Sequence, residues 1–164
     1  MLRGEDKPAG NAERLAYAQV AYNRKHFVVA TRLWAEALES DPGLANDLRA
    51  AHRYNAACAA ALAAAGQGED ATKLDDKEKV RLRKQALDWL RADLTLRTKQ
   101  LQSGPPADRA AAQWALRHWQ KDPDLAGIRD QEALAKLPPE ERAACAKLWA
   151  DVAALLKKAE EERK

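Results

Sequence analysis

The most regular pattern of apolar and polar positions lies in residues 11–44, NAERLAYAQVAYNRKHFVVATRLWAEALESDPGL. Apolar residues recur with helical spacing on both sides of a short polar turn, which predicts two antiparallel helices. Phe27 and Trp34 lie seven residues apart, about two turns along one face of the second helix. Asp41-Pro42 ends that helix, because proline cannot continue it. Small residues stand where the two helices must approach closely, at Ala18, Ala21, Ala30 and Ala37.

The rest of the chain predicts further helices. Asp75, with Glu78 three residues on, has the spacing of a helix cap. Asn46 or Asp47 suits the start of an earlier helix. A first turn rich in proline and glutamate opens the last helix. Helices are expected at about 48–65, 76–102 and 108–120, and the last one is expected to open at Pro138-Pro139-Glu140-Glu141.

One helical domain is predicted over residues 11–164, after a polar stretch, residues 1–10, that we interpret as a disordered lead or the end of a linker. A segment near 67–75 interrupts the helical pattern of this domain. Glycines and charged residues dominate the segment from Gln67 to Leu74, and apolar anchors are nearly absent. We therefore expect it to be exposed and mobile.

Composition places this chain in the all-α class. Alanine accounts for 37 of the 164 residues, whereas there are five valines and one isoleucine. A sheet favours β-branched residues, and a helix favours alanine, leucine, lysine, arginine and glutamate. Because each alanine buries little apolar area, we expect the five tryptophans to supply a large share of the core.

The first hairpin resembles a tetratricopeptide repeat (TPR). Its second helix keeps that family's characteristic spacing of alanine, aromatic, alanine and proline, at Ala30, Trp34, Ala37 and Pro42. Phe27 fits the aromatic that opens the second helix, but Arg14 and Ala18 replace the tryptophan and glycine usual in the first. An ordinary helical hairpin is the alternative.

The resemblance implies a short right-handed array of antiparallel hairpins, with six or seven helices in all and a capping C-terminal helix. The first repeat would be residues 11–44, and the second would be residues 45–102 with its insertion. A degenerate third pair and the cap would occupy residues 107–164.

In the TPR family the first helices of successive repeats line a concave groove. The resemblance implies that Gln19, Tyr22 and Asn23 line such a groove, together with His52 and Asn55 from the third helix. These side chains combine contact area with hydrogen-bond donors and acceptors, as peptide recognition requires. The alternative is that Asn55 and Tyr54 belong to the core and make local hydrogen bonds.

The chain from Arg53 onward, about two thirds of the sequence, has a wider resemblance. Phrases such as RYNAACAAALAAAGQGED and LRHWQKDPDLAGIRD resemble the C-terminal TPR region of large bacterial serine/threonine protein kinases of the planctomycete type. The resemblance implies a sensing or scaffolding module that binds a protein or peptide, with an adjoining kinase domain in cis as one candidate. The phrase DPDLAGIRD also resembles the segment that closes a TPR array, where Leu125 and Ile128 would dock.

No pattern of residues points to catalysis, a metal or a cofactor. None of the histidines, His26, His52 and His118, is expected to form a metal-ligand pair with another histidine, a cysteine or a suitable carboxylate in the sequence. No glycine pattern suits a phosphate, and the catalytic segments of a kinase are missing. We therefore expect a non-catalytic interaction or scaffolding module. A structural spacer or self-association domain is the alternative, and a small helical enzyme is a third hypothesis.

Charge and cysteine usage narrow the possible partners and cellular compartments of this chain. The 28 basic and 25 acidic residues are interspersed, which is typical of solvated helix faces and not of a nucleic-acid binder. The apolar run from Ala56 to Ala65 is too short to span a membrane. Cys58 and Cys145 sit among alanines, which predicts small buried side chains, and the cytoplasm is the simplest compartment.

Overall fold

The computed structural model describes residues 10–162. Within that range the chain forms nine α-helices and two short 3₁₀ turns and has no strand, so the predicted all-α fold is confirmed. The predicted disordered lead, residues 1–10, lies outside the described residues except for Gly10. The helices are α1 Asn11–Asn23, α2 Phe27–Ser40, α3 Pro42–Asn46, α4 His52–Ala64, α5 Asp76–Ser103, α6 Pro106–Trp119, α7 Ala126–Arg129, α8 Gln131–Leu134 and α9 Pro139–Glu162.

The chain divides into two compact units, one up to Leu90 and one from Arg91 onward. The division falls within α5, so each unit contains part of that helix. The single domain predicted over residues 11–164 stays a prediction. Among the described residues, no helix is both long and apolar enough to cross a membrane.

The first unit is organised around α2, which contacts both α1 and α4. The four alanines predicted at the contact between α1 and α2 are all buried. Trp34 is the largest side chain of this core, and small residues surround it because the helix backbones approach closely. The core cluster consists of Ala18, Ala21, Ala30, Leu33, Trp34, Leu38, Ala56 and Ala59.

The turn between α1 and α2 is a Schellman turn. The backbone N–H of His26 donates to the Ala21 carbonyl at 2.8 Å, and that of Lys25 donates to the Tyr22 carbonyl at 2.9 Å. Lys25 has φ 62°, the left-handed conformation in which glycine is usual. The turn reverses the chain within three residues and brings the start of α2 close to the end of α1.

The fourth helix begins later than the sequence predicts, at His52 and not near residue 48. The Asp47 carboxylate does cap a turn, accepting from the N–H groups of Arg49 and Ala50 at 3.1 Å each. Ala51, however, has φ 60°, which is incompatible with a continuous right-handed helix. The predicted cap therefore closes an isolated turn.

In the second unit, a segment around the short helix α7 is held by buried apolar residues and by backbone carbonyls. Leu125 and Ile128, the pair predicted to dock, are fully buried. The Trp149 indole N–H donates to the Ile128 carbonyl at 2.9 Å. The Arg129 guanidinium donates to the carbonyls of Trp119 and Asp122 at 3.0 and 2.7 Å.

The tryptophans differ in burial. Trp34 and Trp119 are buried, as expected, whereas Trp114 is 69% exposed on α6, so the expectation that all five supply the core is wrong for this residue. Its ring stacks on that of His118, with 5.3 Å between centroids and 5° between planes. The predicted buried cysteines, Cys58 and Cys145, are both buried thiols.

Candidate functional site

The exposed face of α1 carries two of the predicted groove residues. Gln19 and Asn23 are both exposed, and the Gln19 Nε2 donates to the Asn23 Oδ1 at 3.1 Å. Helical spacing places Ala12, Ala16 and Val20 on the same face, and each of them is exposed. This surface, hereafter the α1 face, therefore has no charged residue at these five positions across about three turns, and the exposed Glu13 and Arg24 border it.

Tyr22 lies at the edge of the core of the first unit. Its ring is half-buried and meets the rings of Phe27 and Trp34 edge-on, with centroid separations of 5.3 and 6.2 Å. It also packs against the core cluster. The side chain is therefore held in place by aromatic contacts at the edge of the core.

His52 and Asn55 lie within the first four residues of α4, and both are half-buried. Every residue from 56 to 61 is buried, so these two side chains stand at the accessible start of the helix. The structure joins Gln19 directly to Asn23 and Tyr22 to the aromatic rings. His52 and Asn55 lie on another helix of the same unit, α4, and no hydrogen bond between described residues joins their side chains to those on α1.

The segment between α4 and α5 contains an interaction that the sequence did not predict. The Asp70 carboxylate accepts from the backbone N–H of Val28 at 3.1 Å and from that of Val29 at 3.0 Å. These are first-turn donors of α2, which have no partner within the helix. His26, the residue before α2, makes no side-chain cap of its own. Asp70 therefore caps α2 from the segment 67–74, hereafter the strap.

Two further contacts hold the strap against the turn that precedes α2, and the backbone at Gly68 approaches that turn closely. The Glu69 N–H donates to the Lys25 carbonyl at 3.1 Å, and the Glu69 carboxylate lies 3.2 Å from the His26 Nε2. A Cβ on Gly68 would press against the Lys25 carbonyl and lie 2.8 Å from the Phe27 Cδ2. The backbone can approach this closely only because residue 68 is glycine.

The prediction of an exposed strap is wrong for its central part. Ala71 is buried, and Gly68 and Asp70 are half-buried, whereas Gln67, Thr72 and Lys73 are exposed. The reason is that the anchors are polar: a carboxylate and backbone groups hold the strap where apolar side chains are few. One sequence signal existed, since the start of α2, His26-Phe27-Val28-Val29, lacks a good capping residue and needs an external acceptor.

The second unit contains a surface trough between α5 and α9, with a volume of about 440 Å³. Arg91 on α5 and Asp151 on α9 form an ion pair at one end, with 2.6 Å between the Nη1 and the Oδ2. The hydrogen bond from Arg91 holds the pKa of Asp151 below its usual value, and Lys147 acts in the same direction. Elsewhere on α5, burial lowers the pKa of Arg97, and Asp93 opposes that shift.

No protein-family model, no curated protein and no solved structure matches the chain. The function of this chain is therefore inferred from its own geometry.

Proposed function

We propose that this chain is a non-catalytic protein-interaction module, built from TPR-like hairpins, that binds a peptide segment of a partner on the α1 face. The observation that carries the proposal is the lack of charge at the five exposed positions of that face, between the bordering Glu13 and Arg24. Charged residues make up 32% of the chain, and the solvated side of a helix is where they usually concentrate. A strip of exposed helix positions without charged residues is unusual for a surface that contacts only solvent.

Val20 is the apolar centre of the α1 face. Its side chain is 45% exposed, with Ala16 one turn before it and Gln19 and Asn23 beside it. Small neighbours leave room for a partner side chain to contact the valine. Burial of this apolar surface would favour binding at about 25 cal/mol per Å² before the costs of association.

The amide pair supplies the polar part of the recognition surface. One N–H of Gln19 is used in the bond to Asn23, which orients both amides. Each primary amide offers two N–H donors and a carbonyl acceptor, so donors and acceptors remain for a peptide backbone. The half-buried Tyr22 is a further candidate contact from α1, and His52 and Asn55 are candidate contacts from α4.

The arrangement of helices supports the TPR part of the proposal. The α2 helix contacts α1 and also α4, as the second helix of one repeat contacts its own partner and the next repeat in such an array. The partner would be a protein or peptide, with an adjoining kinase domain in cis as one candidate. A cytoplasmic signalling protein is the setting we propose.

A displayed library of random peptides tests the α1 face directly. Selection on the parent chain should enrich peptides that no longer bind the Val20→Glu variant, because a carboxylate would interrupt the uncharged face. Val80→Glu is the matched control, since Val80 is 40% exposed on α5 between charged neighbours. Binding should survive that change.

Two results would contradict the proposal. Peptides equally sensitive to Val20→Glu and Val80→Glu would mean that binding responds to charge in general. No enrichment on the folded parent chain would favour a structural spacer without a separate ligand.

A further inference from the structure

The trough in the second unit has the same residue spacing on both of its sides. Its lining residues fall at positions i, i+3, i+4 and i+7 of each helix. That spacing selects one face of a helix, so two helix faces form the walls over about 10 Å. The lining residues are Arg91, Leu94, Thr95 and Thr98 on α5 and Asp151, Ala154, Leu155 and Lys158 on α9.

The middle of the trough is apolar. Leu94, Ala154 and Leu155 occupy the central positions of the two faces. The neighbouring threonine hydroxyls already donate within α5, Thr95 to the Arg91 carbonyl at 3.1 Å and Thr98 to the Leu94 carbonyl at 2.7 Å. The centre therefore suits apolar side chains of a partner better than polar ones.

The ends of the trough are charged, and the balance is positive. At one end, Asp151 pairs with Arg91 and also with Lys147, whose Nζ lies 3.3 Å away. Two turns farther along α9, Lys158 lines the other end, and it makes no ion pair with another described residue. Among the residues that line the trough, two cations therefore face one carboxylate.

We propose that the trough is a docking groove for an amphipathic helix of a partner protein, with acidic residues beside its apolar stripe. Apolar residues spaced three and four apart would contact the central leucines and Ala154, as in other complexes where a helix binds in a groove. A glutamate or aspartate of the partner would meet Lys158 and offset the excess positive charge. This groove lies in a different unit from the α1 face, and the proposal is independent of the function proposed for that face.

The probe is a displayed library of helical peptides of about 15 residues, near the length at which isolated helices become stable. Leucines are fixed along one face, and the flanking positions vary among glutamate, glutamine and lysine. Selection on the full chain should enrich glutamate at the flanks. Each enriched peptide is then synthesised and its affinity is measured by fluorescence anisotropy.

Neighbouring residues on α9 supply matched controls. Ala154 and Ala153 are both exposed, but only Ala154 lines the trough. Ala154→Arg should therefore weaken binding by about tenfold or more, as blocking a central contact does, while Ala153→Arg leaves it nearly unchanged. Lys158→Glu should shift the selected flanks from glutamate to lysine, and Lys157→Glu should not.

Three results would overturn the proposal. These are an absence of enriched peptides, equal effects of Ala154→Arg and Ala153→Arg, and an unchanged flank preference on Lys158→Glu. Circular dichroism of each variant confirms that the helices are retained. The charge-reversal readout is independent of the steric one, because Lys158 is an exposed side chain whose replacement leaves the trough open.

Discussion

Asp70 caps the helix that contains Val28, although 42 residues separate the two. The carboxylate accepts a hydrogen bond from the Val28 N–H at 3.1 Å and serves the first turn of α2, which has no capping side chain nearby in the chain. A local property, the start of a helix, thus depends on a residue beyond the next long helix.

Replacement of Asp70 by alanine should lower the free energy of unfolding by about 1 kcal/mol, the usual cost of losing a helix cap. Urea denaturation measures the change. Glu69→Ala is the control, because that side chain is 83% exposed and its loss should cost less than about 0.5 kcal/mol. Asp70→Ala should also speed tryptic cleavage after Lys73, since the strap would be held less firmly. Equal stability of the two variants would contradict the capping role.

Gly68→Ala should destabilise the chain more than Gly66→Ala. Both glycines have positive φ, at 87° and 81°, and Gly68 also has ψ 162°, a conformation that is almost restricted to glycine. A Cβ at residue 66 would meet nothing within 4 Å, whereas one at residue 68 would press on the Lys25 carbonyl and the Phe27 ring. The difference in melting temperature between the two variants measures the combined cost of this backbone conformation and of the close approach at Gly68. If the two melt together, the close approach at Gly68 is absent in solution.

Tyr22→Ala should lower stability by roughly 2 kcal/mol, because the half-buried ring packs against Phe27 and Trp34. Tyr22→Phe keeps the ring and should retain most of that packing. Thermal melts of both variants measure how much stability each one loses. If Tyr22→Ala leaves the melt unchanged, the ring is a surface anchor and not a core group.

In the folded chain, the pKa of Asp151 should lie below the ordinary aspartate value, and an NMR titration of its carboxyl carbon measures it. The hydrogen bond from Arg91 is the main cause, so Arg91→Gln should raise this pKa more than Lys147→Gln does. Because the folded pKa is depressed, the stabilisation is present above the unfolded pKa and is lost as the pH falls through the folded one. Asp151→Asn should therefore reduce stability at neutral pH and converge with the parent in strong acid.

Much of the helical architecture could be predicted from local patterns. Asp75 caps α5 through a 2.8 Å hydrogen bond from the Glu78 N–H, as its spacing indicates, and Leu125 and Ile128 are buried as expected. These features depend on residues close together in the chain. The start of α4 could not be placed, because the left-handed conformation of Ala51 has no signal in an alanine.

The candidate surfaces were less accessible to sequence reasoning. Gln19 and Asn23 share a face because they are four residues apart, and this follows from helical spacing alone. The position of Asp70 depends on where the strap lies in space, and the trough depends on which faces of α5 and α9 meet. Neither relationship can be read from periodicity, since periodicity identifies a face but not its neighbour.

The long-range cap limits how far the first hairpin can act as an interchangeable building block. Repeat proteins are commonly rearranged by duplicating or moving whole repeats, because each repeat carries the residues that complete its own helices. Here the segment 11–44 leaves the start of α2 unfinished, and the missing carboxylate is supplied by Asp70. A transplanted or duplicated copy of this hairpin would need the strap to accompany it, so the smallest exchangeable segment extends at least to residue 71.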